Sequence, residues 1–176
     1  MSRSATVIGI FSCVMIALTF LVPWYEADYS TWYGFSYRDK YSLRDFTREL
    51  SGTETTLEYS PELEMERVGA IMSKVIVVLI LSLVASIIAV VLSYLHRRIS
   101  GVIAGSVSAG LLLMASGIFY FGIIDALNLD SFVGWTLLNR TWTVEVGPML
   151  GWWIAVTIPV VQAAQAVVLA YSGTNN

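Results

Sequence analysis

Hydrophobic residues are concentrated in four long stretches of the chain, with most polar residues lying between them. Four stretches contain no Asp, Glu, Lys or Arg and are each at least 19 residues long: residues 5–23, 75–95, 101–124 and 149–171. About 20 apolar residues of α-helix cross a hydrocarbon core of about 30 Å. The pattern therefore predicts four membrane-spanning helices, with large polar loops at 24–74 and 125–148 on one side of the membrane.

The first apolar stretch is open to two interpretations, a retained helix or a cleaved signal peptide. Arg3 gives it a basic start, as in a signal peptide. A signal peptide ends in a small-x-small cleavage site, whereas residues 21–24 of this chain are Leu-Val-Pro-Trp. We therefore expect a retained first helix.

The two loops contain segments with strand periodicity. Aromatic residues alternate with small or polar ones over 29–37, and residues 53–59 and 142–146 alternate in the same way. Period two with aromatic and β-branched residues is typical of strands. Residues 135–138 stand where a hairpin partner of 142–146 would lie. We expect one small antiparallel sheet shared by the two loops, since their apolar faces have no other place to be buried.

Two helical segments are predicted within the first loop. Residues 42–50 place three apolar side chains at helical spacing after Ser42, a suitable N-cap. Residues 60–62 are Ser-Pro-Glu, a cap followed by proline and an acid in the first turn. The second helix would continue from 61 to 95 and measure about 52 Å at 1.5 Å per residue, so that its first turns stand above the bilayer.

The aromatic residues after the first stretch have two alternative roles. Trp24 and Tyr25 follow the end of a span, where the expected role is an aromatic belt at the membrane interface. For the aromatic row from Tyr29 to Tyr37, we favour the inner face of the sheet over an exposed binding patch.

Charge distribution orients the chain in a cell membrane. Charged residues make up 13% of the sequence, against about a quarter in soluble domains. All 13 carboxylates lie in the two large loops, whereas the short connection between the second and third stretches contains Arg97 and Arg98. Positive charge in short loops marks the cytoplasmic side. We therefore expect a multi-pass protein with both termini in the cytoplasm and the large loops outside.

Three further features bear on the environment of the protein. Asn139-Arg140-Thr141 is a glycosylation acceptor in the second large loop, so Asn139 is a possible modification site. The only cysteine, Cys13, lies inside the first stretch, which excludes an intrachain disulfide. No basic stripe indicates nucleic-acid binding.

Several local features accompany the four-span layout: Pro23-Trp24 after the first span, the aromatic segment Trp32–Phe35, Arg67 before the second span and Gly151-Trp152 at the start of the fourth. In the layout and in these features, the chain resembles the claudin and peripheral myelin protein group of four-span membrane proteins. Residues 146–153 also resemble the entry to the last helix in many prokaryotic four-span proteins. The resemblance implies an all-α transmembrane four-helix bundle with a small extracytoplasmic antiparallel β-sheet. The group's paired loop cysteines are absent, so it does not extend to a barrier-forming role.

The sequence offers little material for catalysis or metal binding. Glu62 and Glu66 lie one helical turn apart and offer oxygen ligands of the kind a hard cation uses. We favour the simpler explanation, because acids at a helix N-terminus interact well with the helix dipole. His96 is the only histidine and lacks a second transition-metal ligand nearby. We expect no metal, no cofactor, no catalytic residues and no enzymatic activity.

Polar residues inside the predicted spans form the second candidate site. Gln162 and Gln165 are three residues apart on the fourth span, and serines occur in the neighbouring spans. We expect them to form hydrogen bonds between helices, with a polar pathway through the bundle as the alternative. Gly101, Gly105 and Ala109 form a small-residue stripe that either closes the bundle or joins two copies of the chain.

Together these patterns predict a membrane protein that acts by contact. It would be an accessory subunit, or would associate with its own kind, through the extracytoplasmic sheet. The alternative is a small transporter, channel component or lipid-binding protein that uses the bundle interior. The expected partner-contact residues are aromatic: Trp32, Tyr33, Phe35, Phe46, Trp135 and Trp142.

Overall fold

The computed structural model describes residues 3–50, 52–59, 65–95, 97–139 and 142–171. In this part of the chain, four helices carry a six-stranded sheet at one end of their bundle. The helices are α1 (Arg3–Leu18), α2 (Glu66–Tyr94), α3 (Arg98–Leu127) and α4 (Leu150–Tyr171). The strands are β1 (Tyr25–Thr31), β2 (Ser36–Tyr41), β3 (Asp45–Leu50), β4 (Thr53–Glu58), β5 (Gly134–Asn139) and β6 (Trp142–Pro148).

The helices form a closed bundle in which α1 packs on α2, α2 on α3, α3 on α4 and α4 on α1. The small-residue stripe of α3 lies in this bundle. A methyl group at Gly101 would lie 3.1 Å from Ser93 Oγ, and one at Gly105 would lie 4.0 Å from the Ala89 methyl, both on α2. Small residues therefore bring α2 and α3 together within one chain, as the first alternative predicted.

The helices have apolar outer surfaces as well as an apolar core. Three of them, α2, α3 and α4, are long and apolar enough to cross a membrane, whereas α1 is apolar but only 16 residues long. Large hydrophobic side chains point away from the bundle on all four, with Phe11 51%, Val77 57%, Phe121 73% and Val160 72% exposed. The first apolar stretch extends past the helix through a turn at 19–21.

The sheet is antiparallel throughout, in the order β4-β3-β2-β1-β6-β5. Strand β1 from the first loop pairs with β6 from the second, which confirms that the two loops share one sheet. Strand β4 also confirms the strand predicted at 53–59, and β6 the one at 142–146. Helices α1 and α4 meet the sheet at neighbouring points, because Met149 N donates to Trp24 O at 2.9 Å.

Two local predictions are wrong. Residues 29–37 are two strands joined by a tight turn, because Gly34 has a φ of +82° and its N–H donates to Thr31 O at 3.0 Å. Residues 42–50 do not form a helix, since 45–50 pair on both sides with neighbouring strands. Backbone pairing on both sides and burial of Phe46 outweigh the helical spacing of the apolar residues.

Two further expectations concern residues next to the helices. Trp24 and Tyr25 are fully buried rather than part of an aromatic belt, because they fill the junction between the sheet and the helices. The cap predicted at Ser60 lies outside the described residues, and α2 is seen from Glu66 onward.

Candidate functional site

Trp24 joins the sheet to three helices. It is fully buried, its indole Nε1 donates to Thr19 O at 2.8 Å at the end of α1, and its ring packs edge-on against Phe119 of α3 at 5.2 Å. On the α4 side, Gly151 N donates to Pro23 O at 2.9 Å. A methyl group at Gly151 would lie 2.7 Å from the indole nitrogen. The sheet is therefore held in a fixed position on the bundle.

An ion pair with a buried carboxylate and a partly exposed guanidinium lies on the inner face of the sheet, the face turned toward the helices. The Asp39 side chain is fully buried and accepts two hydrogen bonds from Arg48, at 2.8 Å from Nε and 2.7 Å from Nη2. The guanidinium also lies over the Tyr37 ring at 4.6 Å. The hydrogen bond to Asp39 raises the pKa of Arg48, so this group stays charged.

Two tyrosines extend the ion pair into a network. The Tyr41 hydroxyl donates to Asp39 Oδ2 at 3.4 Å, which leaves the Tyr29 hydroxyl, 3.3 Å away, as the donor to Tyr41. Burial raises the pKa of Tyr29 to about 12, and it raises the pKa of Tyr41 well above its ordinary value. Both hydroxyls therefore stay protonated near neutral pH and can act as donors.

The outer face of the sheet is acidic. By strand alternation it carries seven described carboxylates: Glu26, Asp28, Asp45, Glu49, Glu54, Glu58 and Glu145. Two basic side chains, Arg38 and Lys40, share this face and pair with Asp28 and Glu54, the second at 2.9 Å. The face therefore has a strong excess of negative charge.

One row of this face crosses all six strands. In register order it consists of Glu54, Glu49, Arg38, Asp28, Glu145 and Trp135. Like charges stand directly opposite each other at Glu49–Glu54 and at Asp28–Glu145, an arrangement that destabilises a sheet. A cleft of about 430 Å³ is lined by Gly52 and by five members of this row, all except Glu54. The cleft is open to a cationic group from outside.

Three exposed aromatic residues lie at the turn between β1 and β2. Trp32 is 83% exposed, Tyr33 is 90% exposed and Phe35 is 51% exposed. We call residues 32–35 the hairpin tip. Strand β1 separates the tip from Trp24 by seven residues, about 20 Å of chain at about 3.3 Å per residue. The aromatic row from Tyr29 to Tyr37 is thus divided, because its ends stack on each other at 4.5 Å and its middle is exposed.

The other predicted contact residues lie in different environments. Phe46 is only 1% exposed, since it stacks between Tyr41 and Tyr59, and it is not part of the exposed surface. Trp135 is 68% exposed on the outer face. The side chains of Trp142 and Asn139 lie outside the described part, so contact at Trp142 and glycosylation at Asn139 stay predictions.

A polar network occupies the middle of the bundle and involves all four helices. Gln162 Nε2 donates to Ser108 Oγ of α3 at 2.8 Å and reaches Ser86 Oγ of α2 at 3.5 Å. Cys13 Sγ of α1 donates to the same Ser86 oxygen at 3.3 Å. Among the described residues, Gln162 Oε1 and Gln165 Nε2 are buried without a hydrogen-bond partner.

The sequence patterns did not predict three participants in these networks: Asp39, Arg48 and Cys13. Asp39 alternates with Tyr37 and Tyr41 and therefore shares their buried face. No local signal connects Cys13 to Ser86, because they are 73 residues apart.

Metal ligation has no support in the described ranges, where no group of three or more His, Cys, Asp or Glu residues is arranged to hold an ion. Glu62 and His96 lie outside those ranges. No protein-family model matches the chain, and no curated protein matches it significantly.

We expect replacement of Gln162 by leucine to change stability little. The substitution removes the hydrogen bond to Ser108, worth about 0.6 kcal/mol on average between membrane helices, together with one unpartnered buried oxygen. Ser108 keeps its mutual hydrogen bonds with Ser82 at 2.9–3.0 Å. Thermal unfolding in detergent measures the effect, with Ser82→Val as the comparison. A large destabilisation by Gln162→Leu would contradict the expectation.

Proposed function

We propose that the chain is an integral protein of the cell membrane with four spanning helices and both termini in the cytoplasm. The exposed apolar side chains around the bundle support lipid contact, because a helix facing water is polar on its outer side. Connectivity supports placing both termini on the same side, since the C-terminal end of α1 and the N-terminal end of α4 meet the sheet. The two chain termini therefore lie at the other end of the bundle. Arg97 and Arg98 lie in the short connection at the far end from the acidic sheet.

Within this membrane setting, the protein acts by contact rather than by catalysis. It is an accessory subunit or a self-associating protein whose working surface is the hairpin tip. The observation that carries this proposal is the exposure of Trp32 and Tyr33, 83% and 90%. Tryptophan and tyrosine are enriched among the residues that dominate binding energy at protein interfaces. Side chains as exposed as these do not pack against the helices.

The acidic outer face indicates the chemistry of the partner. Its cross-strand row keeps like charges opposite each other at Glu49–Glu54 and Asp28–Glu145. Arg38 and Lys40 compensate Asp28 and Glu54, whereas Glu49 and Glu145 have no salt bridge among the described residues. A basic surface on the partner would complement these two carboxylates and would also steer the encounter. Trp135, at one end of the row, offers an exposed ring to an arginine or lysine side chain. We therefore expect a partner with a basic patch next to an apolar one.

The architecture also supports the claudin-like arrangement as a proposal. In this chain, as in the claudin group, a sheet built from two loops lies over one end of four helices. The absence of the paired loop cysteines argues against a barrier-forming role.

A second candidate function uses the bundle interior. Two buried amide atoms without a hydrogen-bond partner among the described residues, Gln162 Oε1 and Gln165 Nε2, favour a transporter, channel component or lipid-binding protein in which a polar cargo meets these amides. The two hypotheses place the sensitive residues at opposite ends of the molecule.

The contact hypothesis is tested by crosslinking in native membranes, purification in mild detergent and mass analysis of the proteins recovered. We expect the double replacement Trp32→Ala, Tyr33→Ala to lower partner recovery at least about tenfold, because loss of two exposed aromatic anchors costs more than the 1.4 kcal/mol that tenfold represents. Crosslinks should pass through residues 32–35.

Two controls make this experiment specific. Trp153→Ala removes an aromatic side chain of 52% exposure from the outside of α4 and should leave recovery unchanged. Gln162→Leu should also leave it unchanged. Full partner recovery with the double variant, combined with loss of partner recovery on Gln162→Leu, would reject the hairpin tip as the contact surface in favour of the bundle interior.

A further inference from the structure

A groove lies between the sheet and the first turns of α2. Its walls are the turn after β2, Tyr59 after β4, and one face of α2, and its volume is about 490 Å³. The lining residues are Leu43, Arg44, Tyr59, Glu66, Gly69, Ala70, Ser73 and Ile76. This groove is distinct from the hairpin tip, the outer-face cleft and the polar network of the bundle.

The groove is held open by fixed packing. The Tyr59 hydroxyl donates to Ser42 O at 2.7 Å, and its ring stacks on Phe46 at 5.7 Å. A methyl group at Gly69 would lie 2.7 Å from the Tyr59 Cβ, so a glycine is required for this close approach. A preformed groove binds a ligand without the entropic cost of ordering its walls.

The position of the groove along α2 matches the boundary of the hydrocarbon core. The uncharged stretch of this helix begins at Val75, whereas the groove extends from Glu66 to Ile76. Ten residues of helix correspond to about 15 Å. One end therefore lies at headgroup level and the other enters the acyl region, if the helix crosses the membrane as proposed above.

The side chains that line the groove change from charged to apolar along α2, from Glu66 toward Ile76. At the upper end, Arg44 and Glu66 are exposed and form no ion pair among the described residues. At the lower end, Ala70 and Ile76 are apolar, and Leu43 is buried beside them. Arginine binds phosphate with charge-assisted hydrogen bonds, and a carboxylate complements an ammonium group. The groove thus presents a cation, an anion and an apolar floor in one place.

We propose that this groove binds one phospholipid of the surrounding leaflet, with its phosphate on Arg44, its ammonium on Glu66 and the start of an acyl chain along Ile76. The pair of opposite charges selects a zwitterionic headgroup such as phosphatidylethanolamine over an anionic one such as phosphatidylglycerol. This proposal rests on the membrane placement given under the proposed function.

Native mass spectrometry of the full chain in mild detergent tests the proposal, with phosphatidylethanolamine or phosphatidylglycerol added. We expect Arg44→Gln to lower retained phosphatidylethanolamine about tenfold, because a charge-assisted contact is lost. Glu66→Gln should reverse the preference toward phosphatidylglycerol. Arg67→Gln is the matched control for Arg44→Gln. Arg67 is an exposed cation of α2 that does not line the groove, so this variant should change lipid retention less than twofold.

The proposal is overturned if Arg44→Gln and Arg67→Gln retain the same amount of lipid, or if Glu66→Gln leaves the headgroup preference unchanged. Size-exclusion profiles show that the variants remain folded. Failure here with continued dependence of partner recovery on Trp32 and Tyr33 would reject the groove alone. Release of the wild-type protein from membranes by alkaline carbonate would reject the membrane placement as well.

Discussion

Replacing Trp24 by alanine is expected to lower the free energy of unfolding by about 3–5 kcal/mol, the range for removal of a large buried aromatic side chain. Trp24 is fully buried and touches elements that are distant in sequence. Its removal leaves a cavity against Phe119 and removes the hydrogen bond that the Thr19 carbonyl accepts from the indole Nε1 at 2.8 Å. We expect the sheet to lose its fixed position on the helices.

The measurement is denaturant unfolding in mixed micelles, monitored by tryptophan fluorescence and by circular dichroism. Trp32→Ala is the matched control, because this tryptophan is 83% exposed at the hairpin tip and should change stability by less than about 0.5 kcal/mol. Trp24→Phe should fall between the two, since it keeps most of the packing and loses the hydrogen bond. Equal stability of Trp24→Ala and Trp32→Ala would contradict the role assigned to Trp24.

Replacing Arg48 by methionine is expected to cost about 3–5 kcal/mol, because it leaves the carboxylate of Asp39 buried without its cation. The Asp39 side chain is fully buried and receives both of its short hydrogen bonds from Arg48, at 2.8 and 2.7 Å. The remaining contact, from the Tyr41 hydroxyl at 3.4 Å, is too long to replace them. The loss of charge pairing, more than the loss of packing, should dominate.

Arg38→Met provides the control within the same sheet. Arg38 also forms a two-point ion pair, with Asp28, but the two side chains are 46% and 36% exposed. An exposed pair contributes about 0–1 kcal/mol, so this variant should unfold almost as the wild type does. The double replacement Asp39→Leu, Arg48→Met should recover most of the lost stability, since it removes the buried carboxylate together with its cation. If Arg48→Met and Arg38→Met cost the same, burial does not distinguish the two pairs.

The local predictions succeeded where one interaction dominates and failed where two compete. The shared sheet follows from period two in both loops, and β4 and β6 lie where the alternation placed them. The segment 42–50 satisfies both a helical spacing and a strand, because Leu43 and Phe46 are buried in either case. Pairing with β2 and β4 decides between them, and those strands are not visible to a local pattern.

In the candidate sites, too, local sequence could not decide between competing environments. Exposure of Trp32 and burial of Phe46 could not be told apart from residue type, since both are aromatic residues of the same loop. The turn at Gly34 places one outside, and stacking between Tyr41 and Tyr59 places the other inside. The groove beside α2 was not predicted at all, because its walls come from the turn at Arg44, from Tyr59 and from residues of α2 more than 20 positions after Arg44.

The sequence by itself determined the apolar helices, the presence of a sheet contributed by both loops and the polar amides of the last helix, because hydrophobic periodicity and length are local properties of the chain. Tertiary structure alone decided which aromatic residues are buried, that Asp39 meets Arg48, that Cys13 and Gln162 meet at Ser86, and that a groove opens beside α2. Each of these depends on the register and packing of segments far apart in the chain, which arise only when the sheet and the bundle close together.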